Sequence, residues 1–286
     1  PAGFCNINNL FELNTEQAAR VEVLRGPGTA LHGSNALHGV INVQTPIPMD
    51  TPPAQGSVEI GAHDFYRVQG AWSQARDDRG MYFGFNHTDS GSFRVDEGYR
   101  QSKLHLAHTL GEAWHGWLSL SDLEQDTAGF ISGRDAYRDS AQRRSNANPE
   151  AFRDARSLRA ALRYARELDA AWSLQLLPYL RRDQQRFLQH FTPGQPLEEG
   201  SSRSAGVLSV LNHRDAHGRL AMGADVEWAE GETREVQAMA LTTGSAQQQA
   251  ISPAGIHYDY RARTDAAALF VDYAWALHAR GELDLG

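Results

Sequence analysis

The strongest constraint on this chain is a two-residue rhythm of apolar side chains. Leu220, Met222, Ala224, Val226 and Trp228 alternate with Ala221, Gly223, Asp225, Glu227 and Ala229. Successive side chains of a strand point to opposite faces, so this segment makes a strand with one apolar face; an amphipathic helix would repeat its apolar positions every three or four residues. The rhythm returns in Ala267, Leu269, Val271, Tyr273, Trp275 and Leu277, and in Met81, Phe83 and Phe85. Weaker forms occupy 66–75, 101–110, 113–123, 157–168, 172–182 and 205–213.

The connections carry a second regularity. Short turns at 76–80, 111–112, 167–170, 215–218 and 279–282 alternate with long polar stretches at 89–99, 125–155, 187–203 and 230–263. Strands of roughly ten residues joined alternately by short turns and long loops are the pattern of an outer-membrane β-barrel, with the long loops outside. Trp72, Trp114, Trp117, Trp172 and Trp275 fall near short turns, where an aromatic girdle belongs, and Trp228 falls toward the other end of its strand. A β-sandwich is the water-soluble rival, but its connections need not alternate in length. By propensity Ala151 to Leu177 reads as a helix, yet Leu158, Ala160, Leu162 and Tyr164 keep the period of two.

Composition narrows the function. Across 286 residues the net charge is −8 and the mean hydropathy −0.51, which argues against a basic nucleic-acid binder. No run approaches the roughly 18 apolar residues of a spanning helix, so helical transporters and channels are excluded. The single cysteine, Cys5, rules out an intrachain disulfide within these residues. The chain starts at Pro1 without a signal sequence and stops inside a new alternating stretch at 281–286, so it is expected to be part of a longer protein.

Four prolines between Thr45 and Gly56 forbid a regular helix or central strand and mark a boundary. Upstream of it, two short apolar runs, 21–24 and 40–43, flank the glycine-rich segment Arg25 to Gly39. Gly28 to Ser34 imitates a phosphate-binding loop but lacks its lysine, and Gly26-Pro27-Gly28 starts a dinucleotide fingerprint that Gly33 completes two places late. Nucleotide binding is therefore not expected.

The whole run Val21-Glu22-Val23-Leu24-Arg25-Gly26-Pro27-Gly28-Thr29-Ala30-Leu31-His32-Gly33-Ser34-Asn35-Ala36-Leu37-His38-Gly39-Val40-Ile41-Asn42-Val43 closely resembles the end of the plug domain of TonB-dependent outer-membrane receptors. It departs from their pattern at Thr29, His32 and His38. The resemblance implies an all-β membrane fold: residues 1–49 as the C-terminal part of a small α+β plug, 50–56 as a proline-rich linker, and 57–286 as about half of a 22-stranded antiparallel barrel. It also implies a receptor that imports a scarce large nutrient, most often a ferric siderophore, with no catalysis and no cofactor. Its partners would be outer-membrane lipid and the inner-membrane protein TonB, whose contact box belongs upstream of Pro1. Cobalamin, haem or another metal chelate is the alternative cargo, and a non-transporting adhesin or signal receptor the alternative role.

By the same resemblance Arg25 ties plug to barrel, with Asp225, Glu227 and Asp272 as possible partners, while Gly26, Pro27, Gly28, Gly33 and Gly39 shape tight backbone. Phe4, Asn6 and Asn8 would face ligand at the plug apex, unless the asparagines only hydrogen-bond turns. Phe130, Arg134, Tyr137, Arg138, Phe187 and His190 lie in the long stretches, as aromatic and basic groups able to grip an anionic chelate or simply to order the loops. His32 with His38 and His213 with His217 lack a third ligand of evident spacing, so no metal site is expected. Nor does any nucleophile, base and orienter set indicate an enzyme.

Overall fold

A computed structural model of the chain describes residues 11–26, 38–278 and 281–285. Two strands, β1 (Arg20–Arg25) and β2 (Gly39–Gln44), pair antiparallel with Val21 opposite Val43 and Val23 opposite Ile41. At the join, Gly39 has φ +155°, and a Cβ there would come within 2.7 Å of the Leu24 carbonyl oxygen, so the position requires glycine. Gly26 also has a positive φ, +93°. A short 3₁₀ turn, Pro48–Asp50, leads from this hairpin to the main sheet.

That sheet has eleven strands, each paired antiparallel with its neighbours in the chain. They are β3 (Ala54–Ile60), β4 (Tyr66–Arg76), β5 (Arg79–Gly91), β6 (Gly98–Leu110), β7 (Trp114–Asp126), β8 (Phe152–Glu167), β9 (Trp172–Leu188), β10 (Leu197–Arg214), β11 (Gly218–Gln237), β12 (Gly255–His278) and β13 (Gly281–Leu285). One short helix, α1 (Ala246–Ile251), caps itself through Ser245 and Gln248 within the β11–β12 connection. No helix among the described residues is long and apolar enough to cross a membrane, which says nothing of strands.

The segment with helical propensity divides between β8 and β9. Its break is set by Asp169, whose Oδ1 accepts hydrogen bonds of 2.8 Å from the backbone N–H of both Ala171 and Trp172. A short acidic side chain stabilising its own turn outweighs local helix preference once both flanking strands have partners. Asp215 repeats the device beneath His217 and Gly218 at the β10–β11 turn.

The sheet corrects the expected loop lengths. The long connections are 92–97, 127–151, 189–196 and 238–254, shorter than the sequence rhythm indicates, and β12 reaches 24 residues. Outside the apolar stretch both faces of a strand are polar, so hydropathy alternation vanishes while backbone pairing continues. The sheet also starts earlier than Ser57: Ala54 already pairs with Trp72 and Gly56 with Gly70.

On the outward face an apolar belt runs across the sheet. It includes Val58, Trp72, Phe83, Phe85, Leu106, Leu162, Leu180, Val226, Leu269 and Val271, all exposed. On β9 the belt runs from Trp172 to Leu180, about 26 Å along the strand at ~3.3 Å per residue, or ~20 Å along the normal at the usual barrel tilt. Toward the long-loop end ion pairs replace it: Arg100 with Asp89 and Glu124, Arg156 with Asp122, Arg186 with Asp154 and Glu199, Arg203 with Glu230, Arg261 with Glu232. Trp228, midway along β11, sits at this boundary, immediately below the Glu230 level.

Candidate functional site

The opposite, inward face of the sheet carries the N-terminal segment. Residues 11–18 lie against β4 to β9, held by side chains at every second strand position. Lys103 Nζ, its side chain 6% exposed, lies 2.9 Å and 3.1 Å from the two Glu16 oxygens and donates to the Leu13 carbonyl at 2.9 Å. Arg181 donates to Glu12 at 2.6 Å, with Arg159 at 3.9 Å from the other Glu12 oxygen. The Glu12 side chain is 3% exposed. Burial raises its pKa above the ordinary carboxylate range, and the Arg181 guanidinium pulls the other way.

Neutral contacts complete the seat. Gln17 Nε2 donates to the carbonyls of Phe85 at 2.6 Å and Gly70 at 3.2 Å, and Ser121 donates to the Phe11 carbonyl at 3.1 Å. Gly84 leaves room for Gln17, because a Cβ there would stand 2.4 Å from Gln17 Oε1. Farther along, Ser73 Oγ donates 2.8 Å to the Pro48 carbonyl, fixing the connection into β3.

Among the described residues the segment's side-chain ties to the wall thus come from Glu12, Glu16 and Gln17. Arg25 is exposed and makes no ion pair among the described residues. Of the wall carboxylates considered as its partners, Glu227 accepts a hydrogen bond from Tyr179 and Asp225 one from the Ser209 N–H. Sequence reasoning missed Lys103, Arg159 and Arg181, although their signal is present. Each sits one residue out of phase with an apolar outward series, Leu104–Leu106, Leu158–Ala160 and Leu180, and so must face inward.

At the long-loop end, Phe130, Arg134 and Tyr137 all lie exposed on the 127–151 connection, Phe130 at 78%. This connection is tied to the 92–97 loop: Arg94 Nε donates to the Ser145 carbonyl at 3.0 Å and Val95 N to the Arg144 carbonyl at 2.9 Å. Arg138 donates to the Tyr137 hydroxyl at 3.0 Å. His190 belongs to the separate β9–β10 hairpin, edge-on to Phe187 and Phe191. Phe4, Asn6, Asn8, Pro27, Gly28 and Gly33 lie outside the described residues. A groove of about 720 Å³ near the same end is lined by Asp89, Glu124, Asp126 and Asp154 with Glu97 and Glu150, against only Arg100 and Arg186, so the excess of negative charge makes it an unfavourable place for an anion. Among the described residues no group of three or more His, Cys, Asp or Glu side chains is placed to hold a metal ion.

Solved structures define the class of fold: the antiparallel sheet superposes on part of a larger membrane-type β-barrel. The ferric-catecholate import receptor Fiu of E. coli K12, in its open form, matches with a TM-score of 0.67 at 15% identity, over 94% of this chain and 49% of that one. The ferric citrate transporter FecA in the unliganded form matches with 0.69 at 18%, over 90% and 40%. The pyoverdine outer membrane receptor FpvA of Pseudomonas aeruginosa PAO1, bound to pyoverdine, matches with 0.68 at 13%, over 95% and 48%. The chain therefore spans about half the length of the receptors it matches. No protein-family model and no curated protein matches it.

Proposed function

We propose that the chain is part of a TonB-dependent outer-membrane receptor that imports a ferric siderophore. The observation that carries this reading is the segment 11–18 seated by buried ion pairs on the inner wall of a sheet whose other face is an apolar belt with a charged rim. An exposed belt this extensive is too large for a water-soluble surface and matches the lipid-facing band of a transmembrane barrel. A polar segment held inside such a wall blocks a lumen without performing chemistry, and the solved neighbours are named as receptors and transporters of ferric chelates.

The exposed Phe130, Arg134 and Tyr137, with His190 on the next hairpin, supply the aromatic and cationic groups that an anionic chelate would contact from outside. TonB would act upstream of the residues present, drawing on the proton-motive force. Uptake of ⁵⁵Fe-labelled siderophores by cells expressing the full-length parent, with and without a working TonB protein, tests this. TonB-dependent uptake of one chelate is expected; binding without uptake, or leakage independent of TonB, overturns it.

A further inference from the structure

The cations of the inner wall are spent on the segment rather than on each other. Lys103 on β6, Arg159 on β8 and Arg181 on β9 share one sector, and the carboxylates that face them, Glu12 and Glu16, come mainly from residues 11–18. Asp183, at 3.7 Å from Arg181, is the wall's own contribution, and it also accepts a hydrogen bond from Ser202. If the segment left, two carboxylates would depart and three cations would remain on a partly desolvated wall, an unfavourable state unless an anion replaced them.

The space beside this cluster is already open. A cavity of about 230 Å³ lies between segment and wall, lined by Arg159, His105, Trp117 and Ser119 on one side and Glu12 and Asn14 on the other. His105 is 3% exposed and its Nε2 has no hydrogen-bond partner, nor has Asn14 Oδ1. A buried ring nitrogen without a partner is a hydrogen-bonding group left unmade at a cost, and in the tautomer protonated at Nε2 it would donate to an acceptor in the cavity. Trp117 adds an aromatic face, with Arg159 stacked 6.0 Å from its ring centre.

We propose that Lys103, Arg159 and Arg181, with His105, form the wall half of a binding site for an anionic, carboxylate-bearing chelate, and that Glu12 and Glu16 occupy it as stand-in ligands until the segment moves. The proposal deepens the import reading and rests on it: the cargo would meet a fixed cationic station inside the wall as the segment withdrew. One set of cations would then serve two states, closed with the plug carboxylates and open with those of the cargo.

The test uses the full-length parent in detergent and citrate as a compact trivalent probe, followed by equilibrium dialysis at low ionic strength. Glu12→Ala with Glu16→Ala empties the site, and citrate is expected to bind at least tenfold more tightly than to the unaltered protein. The gain should vanish when Arg159→Met is added, and uncharged triethyl citrate should show none. Should the alanine pair fail to assemble, Glu12→Gln with Glu16→Gln removes the charges at nearly constant volume and carries the same expectation. Equal citrate binding in both proteins, or a gain that survives Arg159→Met, overturns the cation site. The import reading fails separately, through uptake that does not depend on TonB, because dialysis requires no transport.

Discussion

Arg181 on β9 donates a 2.6 Å hydrogen bond to Glu12, 169 positions earlier in the chain, where the carboxylate is almost wholly buried. Removing one partner of such a pair strands a charge, which typically costs about 3–5 kcal/mol, whereas removing both is often close to neutral. Arg159, 3.9 Å away, partly compensates, so the lower figure applies. Arg181→Met in the full-length parent should raise amide hydrogen exchange over residues 11–18 by about 100-fold, since ~1.4 kcal/mol is a factor of ten. Adding Glu12→Leu should restore most of the protection. If the single variant exchanges like the unaltered protein, the pair does not hold the segment.

Gly84 offers a test free of charge effects. A Cβ there would overlap Gln17 Oε1 and also crowd the Tyr82 hydroxyl at 2.7 Å, and because both groups end flexible side chains the strand would stay in place while they shift, Gln17 most of all. Its hydrogen bonds to Phe85 and Gly70 would then be lost. Gly84→Ala should weaken the seat of the segment by about 1–2 kcal/mol, roughly the net value of one or two hydrogen bonds, while the sheet itself persists. Limited proteolysis within 11–18, compared with heat resistance of the barrel, separates the two effects; a change in barrel stability alone would place Gly84 in the sheet's packing instead.

Much of the sheet can be read from sequence because a half-buried strand writes its environment every second residue. Leu220 to Trp228 and Ala267 to Trp275 identify their two faces in this way, and the structure pairs the two strands with each other. The outer ends of the same strands could not be read, since Glu230, Glu232, Arg261 and Arg263 are charged where the wall rises beyond the belt, and charge without alternation looks like loop. The seat was hidden for another reason. Glu12 and Glu16 occupy irregular backbone with no period, and their partners lie 87 to 169 residues away, so only the inward parity of Lys103, Arg159 and Arg181 was available as a sign. Arg25, which the glycine motif singled out, is exposed and makes no ion pair among the described residues, while Glu12, Glu16 and Gln17 make side-chain contacts to the wall.

The belt makes a depth-dependent prediction. Val271 lies midway along the outward stretch of β12, and Ala267 lies at its charged boundary, opposite Val226. An arginine on the lipid face costs about 2–4 kcal/mol at the midplane and about 0–1 near the interfaces. Val271→Arg should therefore lower the folding stability of the full-length parent in lipid vesicles by about 2–4 kcal/mol, and Ala267→Arg by no more than ~1, as measured by urea titration. Equal and small effects at both sites would mean that this face meets water, and the membrane reading would fail with them.

His257, well beyond the belt on β12, supplies a prediction about pH. Its Nδ1 lies 2.9 Å from a Glu235 carboxylate oxygen and its Nε2 2.8 Å from the Pro253 carbonyl oxygen. Both neighbours can only accept, so the imidazolium, with two N–H donors, satisfies both bonds and the neutral ring only one. The Pro253 carbonyl and then the Glu235 carboxylate hold its pKa above the usual 6.5. A histidine whose folded pKa is raised contributes stability that is fully present below its unfolded value and is lost as pH rises through the folded one. These bonds close the neck of the 238–254 connection beside Gln237, which donates 2.8 Å to the carbonyls of Met239 and Ser252. Exchange of the Leu241 amide, bonded to the Ser252 carbonyl at the same neck, should accelerate beyond its intrinsic pH dependence as the solution is raised from below pH 6.5, and His257→Asn should abolish that excess. A neck whose protection is independent of pH in the unaltered protein would show that Gln237 closes it alone.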